Sequence, residues 1–236
     1  MHYSSLLFAR KKPRSQKENM TSVYSGNSVV SFDDLLAHLK SLPVPLLPPA
    51  KPLDPALTDK IASLYLHPAL EAVLHLLNHD LPSAHFLVRH MQSDPAFEAM
   101  YLHGILHRIE GDFNNTRAWY YDVYNSEPFE LVWGKATEDE VAEVEKKKSQ
   151  GETKMPPQKS ARDFVDSLEK LSKGQGDKEA LAKESRREFD AILDWCTKKF
   201  GTGKHTDASK AWVQPSQEIS QKGQDMVTGN DGFRKF

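Results

Sequence analysis

The chain has one cysteine, Cys196, which excludes an internal disulfide and any paired-cysteine zinc site. No apolar run approaches the length that crosses a bilayer or forms a signal peptide, so no membrane association is expected. Neither sign of charge prevails: 31 lysines and arginines face 33 aspartates and glutamates, and no overall field attracts nucleic acid. Apolar residues make up only 39% of the chain, below the share of a compact domain, so one core with long solvated flanks is expected. A glycine-rich phosphate loop and a serine-centred nucleophile elbow are both missing, which removes support for nucleotide-dependent and serine-hydrolase chemistry. These absences together describe a soluble, intracellular, cytoplasmic protein.

What is present divides the chain into stretches. Residues 1–30 read as a disordered leader. Its run Arg10-Lys11-Lys12-Pro13-Arg14, with few acids around it, also resembles a mitochondrial presequence or a nuclear signal, and Met20 is an alternative start. Residues 31–134 read as the core. It opens with Ser31 as a cap, a carboxylate at Asp34 and an apolar stripe at Leu35, Leu36 and Leu39. Prolines 43, 45, 48, 49, 52 and 55 cannot donate backbone hydrogen bonds and push their predecessors toward extended geometry, which makes 42–56 a stiff connector. A helix resumes near Thr58, and Phe129 to Gly134 is expected to pack across the core. Residues 135–200 read as a charged linker followed by two amphipathic helices: Phe164, Val165, Leu168 and Leu171 line one, and Leu181, Phe189, Ile192, Leu193 and Trp195 the other. Residues 201–236, rich in Gly, Ser, Gln and Lys, read as a disordered tail.

Between His67 and Pro128 the sequence repeats itself. A shift of 32 positions places Leu74, His75 and Asp80 on Leu106, His107 and Asp112, and Leu77, Leu81 and Leu87 on Ile109, Phe113 and Trp119. Such a period marks stacked helix pairs, each too small to bury its apolar face alone. Helices are therefore predicted over 68–78, 82–92, 95–109 and 114–125. The second unit resembles a tetratricopeptide repeat, with small Gly104 midway along its first helix, aromatic Tyr120 in the second and Pro128 closing it. Ala72 and Ala84 take the small positions of the first unit. The likeness implies an all-α fold of stacked antiparallel hairpins that offers a groove to a protein partner. It departs from the pattern at His75, His103 and His107, which stand where large apolar residues are usual. The string from His103 to Asp112, continued by Trp119 and Tyr120, is also similar to one in poorly characterised fungal and bacterial proteins, among them the fungal early-sexual-development group. That likeness implies a developmental role in a fungus and no established reaction.

Seven histidines (67, 75, 79, 85, 90, 103 and 107) fall within this repeat. His103 and His107 are one helical turn apart and can present both imidazoles to one ion; Glu110 continues that face, and His75, the repeat equivalent of His107, is the candidate third ligand. The cofactor such a set suits is zinc or another divalent metal. A metal-free alternative makes His103 or His107 a general acid or base, oriented by Glu110 or Asp112. Against both stands the ordinary reading, in which each ring is satisfied by a neighbouring acid or carbonyl. Asp80 and Asp112 are read as caps of the following helices. Arg117, Trp119, Tyr120 and Tyr121 are candidates for a ligand or partner surface, or for an interface with the C-terminal helices. Cys196, on an apolar helix, reads as a core residue. Two functions are thus expected from the sequence: an interaction module with a protein partner, or a metal-dependent or histidine-based enzyme with a small polar substrate.

Overall fold

A computed structural model describes residues 31–48 and 51–213. The leader 1–30 and residues 214–236 of the tail lie outside the described residues. Among those described the chain is entirely helical, with no strand. None of its helices is long and apolar enough to cross a membrane.

Local chemistry sets the helix starts. The Ser31 hydroxyl accepts from the Asp34 amide and opens α1 (Phe32–Ser41), which buries Leu35 and Leu39. After the short α2 (Leu57–Ala62), α3 (Pro68–Leu77) begins with proline in its first turn, where the missing amide costs nothing. Asp80 and Asp112 accept from Ser83 and Asn115 and cap α4 (Leu81–Val88) and α6 (Phe113–Asp122), the role read from their turn positions. Between these, α5 (Phe97–Glu110) ends at Gly111, whose φ of 80° suits a residue without a Cβ.

Sequence neighbours pack as pairs, α3 on α4 and α5 on α6, while both members of the first pair also meet α5. The second pair approaches closely at Gly104. A Cβ there would lie 2.7 Å from Tyr120 Cδ1 and 3.0 Å from Trp119 Cβ. Tyr120 is fully buried and cannot step aside. Gly104→Ala is therefore expected to destabilise by about 1–3 kcal/mol, the usual cost of overpacking. Urea denaturation checks this; an unchanged midpoint would mean that the helices separate freely here.

The segment after Pro128 is helical: α7 (Glu127–Trp133) packs on α5 and later on α10. Residues 137–149, read as part of a charged linker, form α8 (Glu138–Ser149). A reciprocal Thr137–Glu140 capping box starts it, and acids in the first turn and lysines in the last suit its dipole. Only Val144 of α8 is buried, so local chemistry rather than core packing makes this helix. α9 (Lys159–Ser172) and α10 (Lys178–Phe200) supply the two amphipathic faces expected from the sequence, and α10 packs on α3, α7 and α9. The start of the tail is also placed. Around a short 3-10 turn at Ala208–Ala211, the His205 amide donates to Tyr65 O at 2.6 Å and the Val213 amide to His90 O at 2.9 Å.

A sealed polar network sits where α5, α6, α7 and α10 meet. Arg108 and Glu188, both fully buried, pair at 2.7 Å. Tyr101 and Tyr120 donate to Glu188 Oε1 at 2.9 and 2.6 Å, and Trp133 Nε1 donates to the Tyr101 hydroxyl. Ser185 accepts from Arg108 and passes a hydrogen bond to the carbonyl of Pro45, which ties the proline connector to α10.

Candidate metal centre

Three imidazoles converge between the two helix pairs. His85 comes from α4 and His103 and His107 from α5; taking one ring nitrogen from each, the donors all lie within 4.8 Å of one another. No other group of three metal-ligating side chains occurs among the described residues. His85 Nε2 and His103 Nε2 are 3.2 Å apart. Two imidazole nitrogens bound to one tetrahedral zinc, at about 2.0–2.1 Å each, stand roughly 3.3 Å apart, so this pair is already at ligand spacing. The His107 donor lies within 4.8 Å of the other two, and its ring, stacked on His103 at an interplanar angle of 16°, must turn for its nitrogen to reach the same ion.

The surroundings fix the rings. His103 stacks on Trp119 with centroids 4.4 Å apart and on His107 at 4.8 Å. His107 Nδ1 lies 3.0 Å from Glu110 Oε2. A carboxylate only accepts, so Nδ1 carries the proton and the Nε2 lone pair is left for an ion, the carboxylate–histidine–metal relay common behind metal ligands. Glu110 therefore stands behind a ligand rather than being one.

Burial first, then the neighbouring His107, His85 and Arg89, lower the His103 pKa to about 3. Burial is also the main cause that lowers the His85 pKa, with Glu110 opposing it. His103 therefore offers a neutral imidazole at neutral pH, and an arriving cation has no proton to displace from it. The ring has a reason to want one: His103 Nδ1 is buried without a partner, and its Nε2 has only the other imidazole.

The residues nominated from the sequence divide. His103, His107 and Glu110 come together, whereas His75 lies elsewhere. Its Nδ1 is 3.1 Å from Asp80 Oδ2 and its Nε2 3.6 Å from Glu71 Oε1, so carboxylates face both nitrogens. His85 takes the third place. Its signal was topological: in a stack of helix pairs the second helix of one unit faces the first helix of the next, so a third ligand is better sought on α4 than on α3. Arg117 pairs with Asp166 and Glu169 of α9, at 2.7 and 2.6 Å. Trp119 covers His103, Tyr120 is inside the Glu188 network, and Tyr121 bonds Glu145 of α8 beneath Lys148. Arg117, Tyr120 and Tyr121 thus join the chain's own α9, α10 and α8, and Trp119 packs on α5. Cys196 is buried, and burial pushes its thiol pKa up, away from nucleophilic chemistry.

Fold and site thus define an all-α protein with a histidine cluster between two helix pairs. The chain matches no protein-family model, no curated protein and no solved structure.

Proposed function

We propose that the protein binds one divalent transition metal, with zinc the best fit, through His85, His103 and His107. Glu110 orients His107. The supporting observation is the convergence of three neutral-capable imidazoles from two helices, two of them already at the separation a tetrahedral ion imposes. Viewed as tetratricopeptide-like hairpins, α3–α4 and α5–α6 are then tied by the ion, which replaces part of the apolar packing usual between such units. Three protein donors leave one coordination position for an outside ligand, the arrangement of catalytic rather than closed structural zinc sites. Metal-dependent chemistry on a small polar molecule is accordingly favoured over a peptide-binding groove. The residues that would have carried a partner surface, Arg117, Trp119, Tyr120 and Tyr121, are engaged by the chain itself.

The test is elemental analysis and zinc titration on protein without a histidine tag. One equivalent of metal is expected for the wild type, lost in His85→Ala and in His103→Ala/His107→Ala and retained in His75→Ala. At zinc concentrations 100-fold above Kd the stabilisation is about 2.7 kcal/mol, a rise in Tm of roughly 5–10 °C. Uptake that survives removal of His85, His103 and His107 would place the metal elsewhere, and no uptake by the wild type would end the reading.

A further inference from the structure

Away from the three imidazoles, α2, α3 and α4 meet around a cavity of about 380 Å³, within the size range of small-molecule sites. Each helix lines it with residues four apart, and therefore from one face: Thr58 and Ala62 of α2, Glu71 and His75 of α3, Pro82 and Phe86 of α4. Rim and floor differ in chemistry. Ala62, Pro82 and Phe86 are exposed apolar groups, Phe86 at 59%, whereas His75 is buried and the Glu71 side chain is only 16% exposed.

Hydrogen bonding at the floor is incomplete. Asp80 Oδ2 lies 3.1 Å from His75 Nδ1, and a carboxylate only accepts, so Nδ1 carries the proton. The same oxygen takes the Thr58 hydroxyl at 2.8 Å. His75 Nε2 has Glu71 Oε1 at 3.6 Å, beyond hydrogen-bond reach, and among the described residues Glu71 makes no ion pair with a lysine or arginine. On the neutral ring, then, a lone pair and a carboxylate face each other with no donor between them. A second ring proton would not close the gap as it stands, because a charge-assisted bond of this kind runs to about 2.7–2.9 Å. An alkylammonium supplies what is missing: a positive charge, three donors and no acceptor on a compact head. We propose that this cavity binds a primary aliphatic amine in its ammonium form, the head donating to Glu71 and to His75 Nε2 and the hydrocarbon chain lying against Ala62, Pro82 and Phe86. Asp80 is then a positioning residue that fixes the His75 tautomer. The site stands apart from the metal reading and does not depend on it.

The experiment is calorimetric titration of the full chain, without metal, with n-hexylamine in a mildly alkaline buffer where the amine stays charged. Saturable binding of one equivalent is expected for the wild type, with the Kd raised about tenfold, equivalent to about 1.4 kcal/mol, in Glu71→Gln. Glu71→Gln keeps the size of a side chain at the cavity floor, and a thermal melt confirms that it folds. Phe86→Ala should weaken hexylamine while leaving the weaker binding of methylamine unchanged, which places the chain at the apolar rim. Sodium hexanoate, with the same chain and the opposite charge, should not bind. Absence of saturable hexylamine binding to the wild type would overturn the proposal, as would the same Kd in Glu71→Gln. Hexanoate binding as tight as hexylamine binding would reduce the cavity to an apolar groove without charge selection. Zinc uptake should be equal in wild type, Glu71→Gln and Phe86→Ala, so failure of this site and failure of the metal site are read separately.

Discussion

Glu188→Ala is expected to destabilise the protein by about 3–5 kcal/mol, a fall in Tm on the order of 10–15 °C, because it strands a charge that has no access to water. Arg108 is fully buried, and its Nε and Nη1 atoms lack partners even in the intact network. Glu188 is its one carboxylate, at 2.7 Å; further compensation comes from the Ser185 and Tyr120 hydroxyls and the rings of Phe164 and Phe189, 5.2 and 6.0 Å from the guanidinium carbon. The substitution also removes the acceptor of two tyrosines. Burial, then the charge of Glu188, holds the hydroxyls of Tyr101 and Tyr120 well above the usual tyrosine pKa, so both remain donors in need of an acceptor. Glu188→Gln should cost about as much: its amide oxygen can still accept from the tyrosines, but the charge is lost and its NH2 group then faces Arg108 Nη2, donor to donor. Arg108→Met/Glu188→Leu should recover most of the loss, because it removes both charges together, yet not all, because the tyrosine hydroxyls stay unpaired. Urea denaturation of the four proteins measures the series. A loss below about 1 kcal/mol for Glu188→Ala would mean that water enters and solvates Arg108.

That network also marks where reading the sequence stops. Capping aspartates, the Gly111 stop and the 3.6-residue spacing of apolar side chains act within a few residues of themselves, so the starts of α1, α4 and α6 and the end of α5 were readable. So were the apolar faces of α9 and α10. Arg108 and Glu188 are far apart in the chain, and each alone looks like one more surface charge on an amphipathic helix. Nothing local shows that Tyr101, Tyr120 and Trp133 will enclose them. The histidine site divides in the same way. His103, His107 and Glu110 share one helix, and their spacing is enough to place them together. The third imidazole depends on which helix faces α5, and matching positions between repeat units led to His75, whose nitrogens face Asp80 and Glu71 instead. His75 is on α3, whereas the imidazole that reaches His103 comes from α4. Charge-rich 137–149 was read as linker because its apolar content is low, but a capping box and matched terminal charges suffice for a helix that buries only Val144.

Acid should unfold the protein earlier than its carboxylates alone require, with Tm falling by roughly 6–12 °C between pH 7 and pH 5. Burial is the largest cause that lowers the pKa of His67 and of His79 to about 4 and of His103 to about 3; His205 and Lys199 add to it for His67, and His107, His85 and Arg89 for His103. In the unfolded chain each returns to about 6.5. Between the two values the unfolded state holds more protons than the folded one, so stability must fall as pH falls. The contribution is complete above pH 6.5, declines below it, and levels off near pH 4 for His67 and His79 and near pH 3 for His103. At pH 5 it amounts to about 1 kcal/mol per histidine once partial solvent screening is allowed for. Asp80 has a pKa below its usual value, partly because Thr58, Ser83 and His75 stabilise its charged form, so its stabilising contribution is lost only below about pH 4 and leaves the upper window to histidine. His79 isolates the effect. Both of its ring nitrogens are buried without partners, and its φ of 57° is a left-handed conformation that asparagine tolerates. His79→Asn should therefore fold, sacrifice no hydrogen bond, and reduce the dependence of Tm on pH between 6.5 and 5 by about a third. Thermal melts of both proteins across that range, without metal, make the comparison; parallel curves would show that His79 is protonated in the folded protein without penalty.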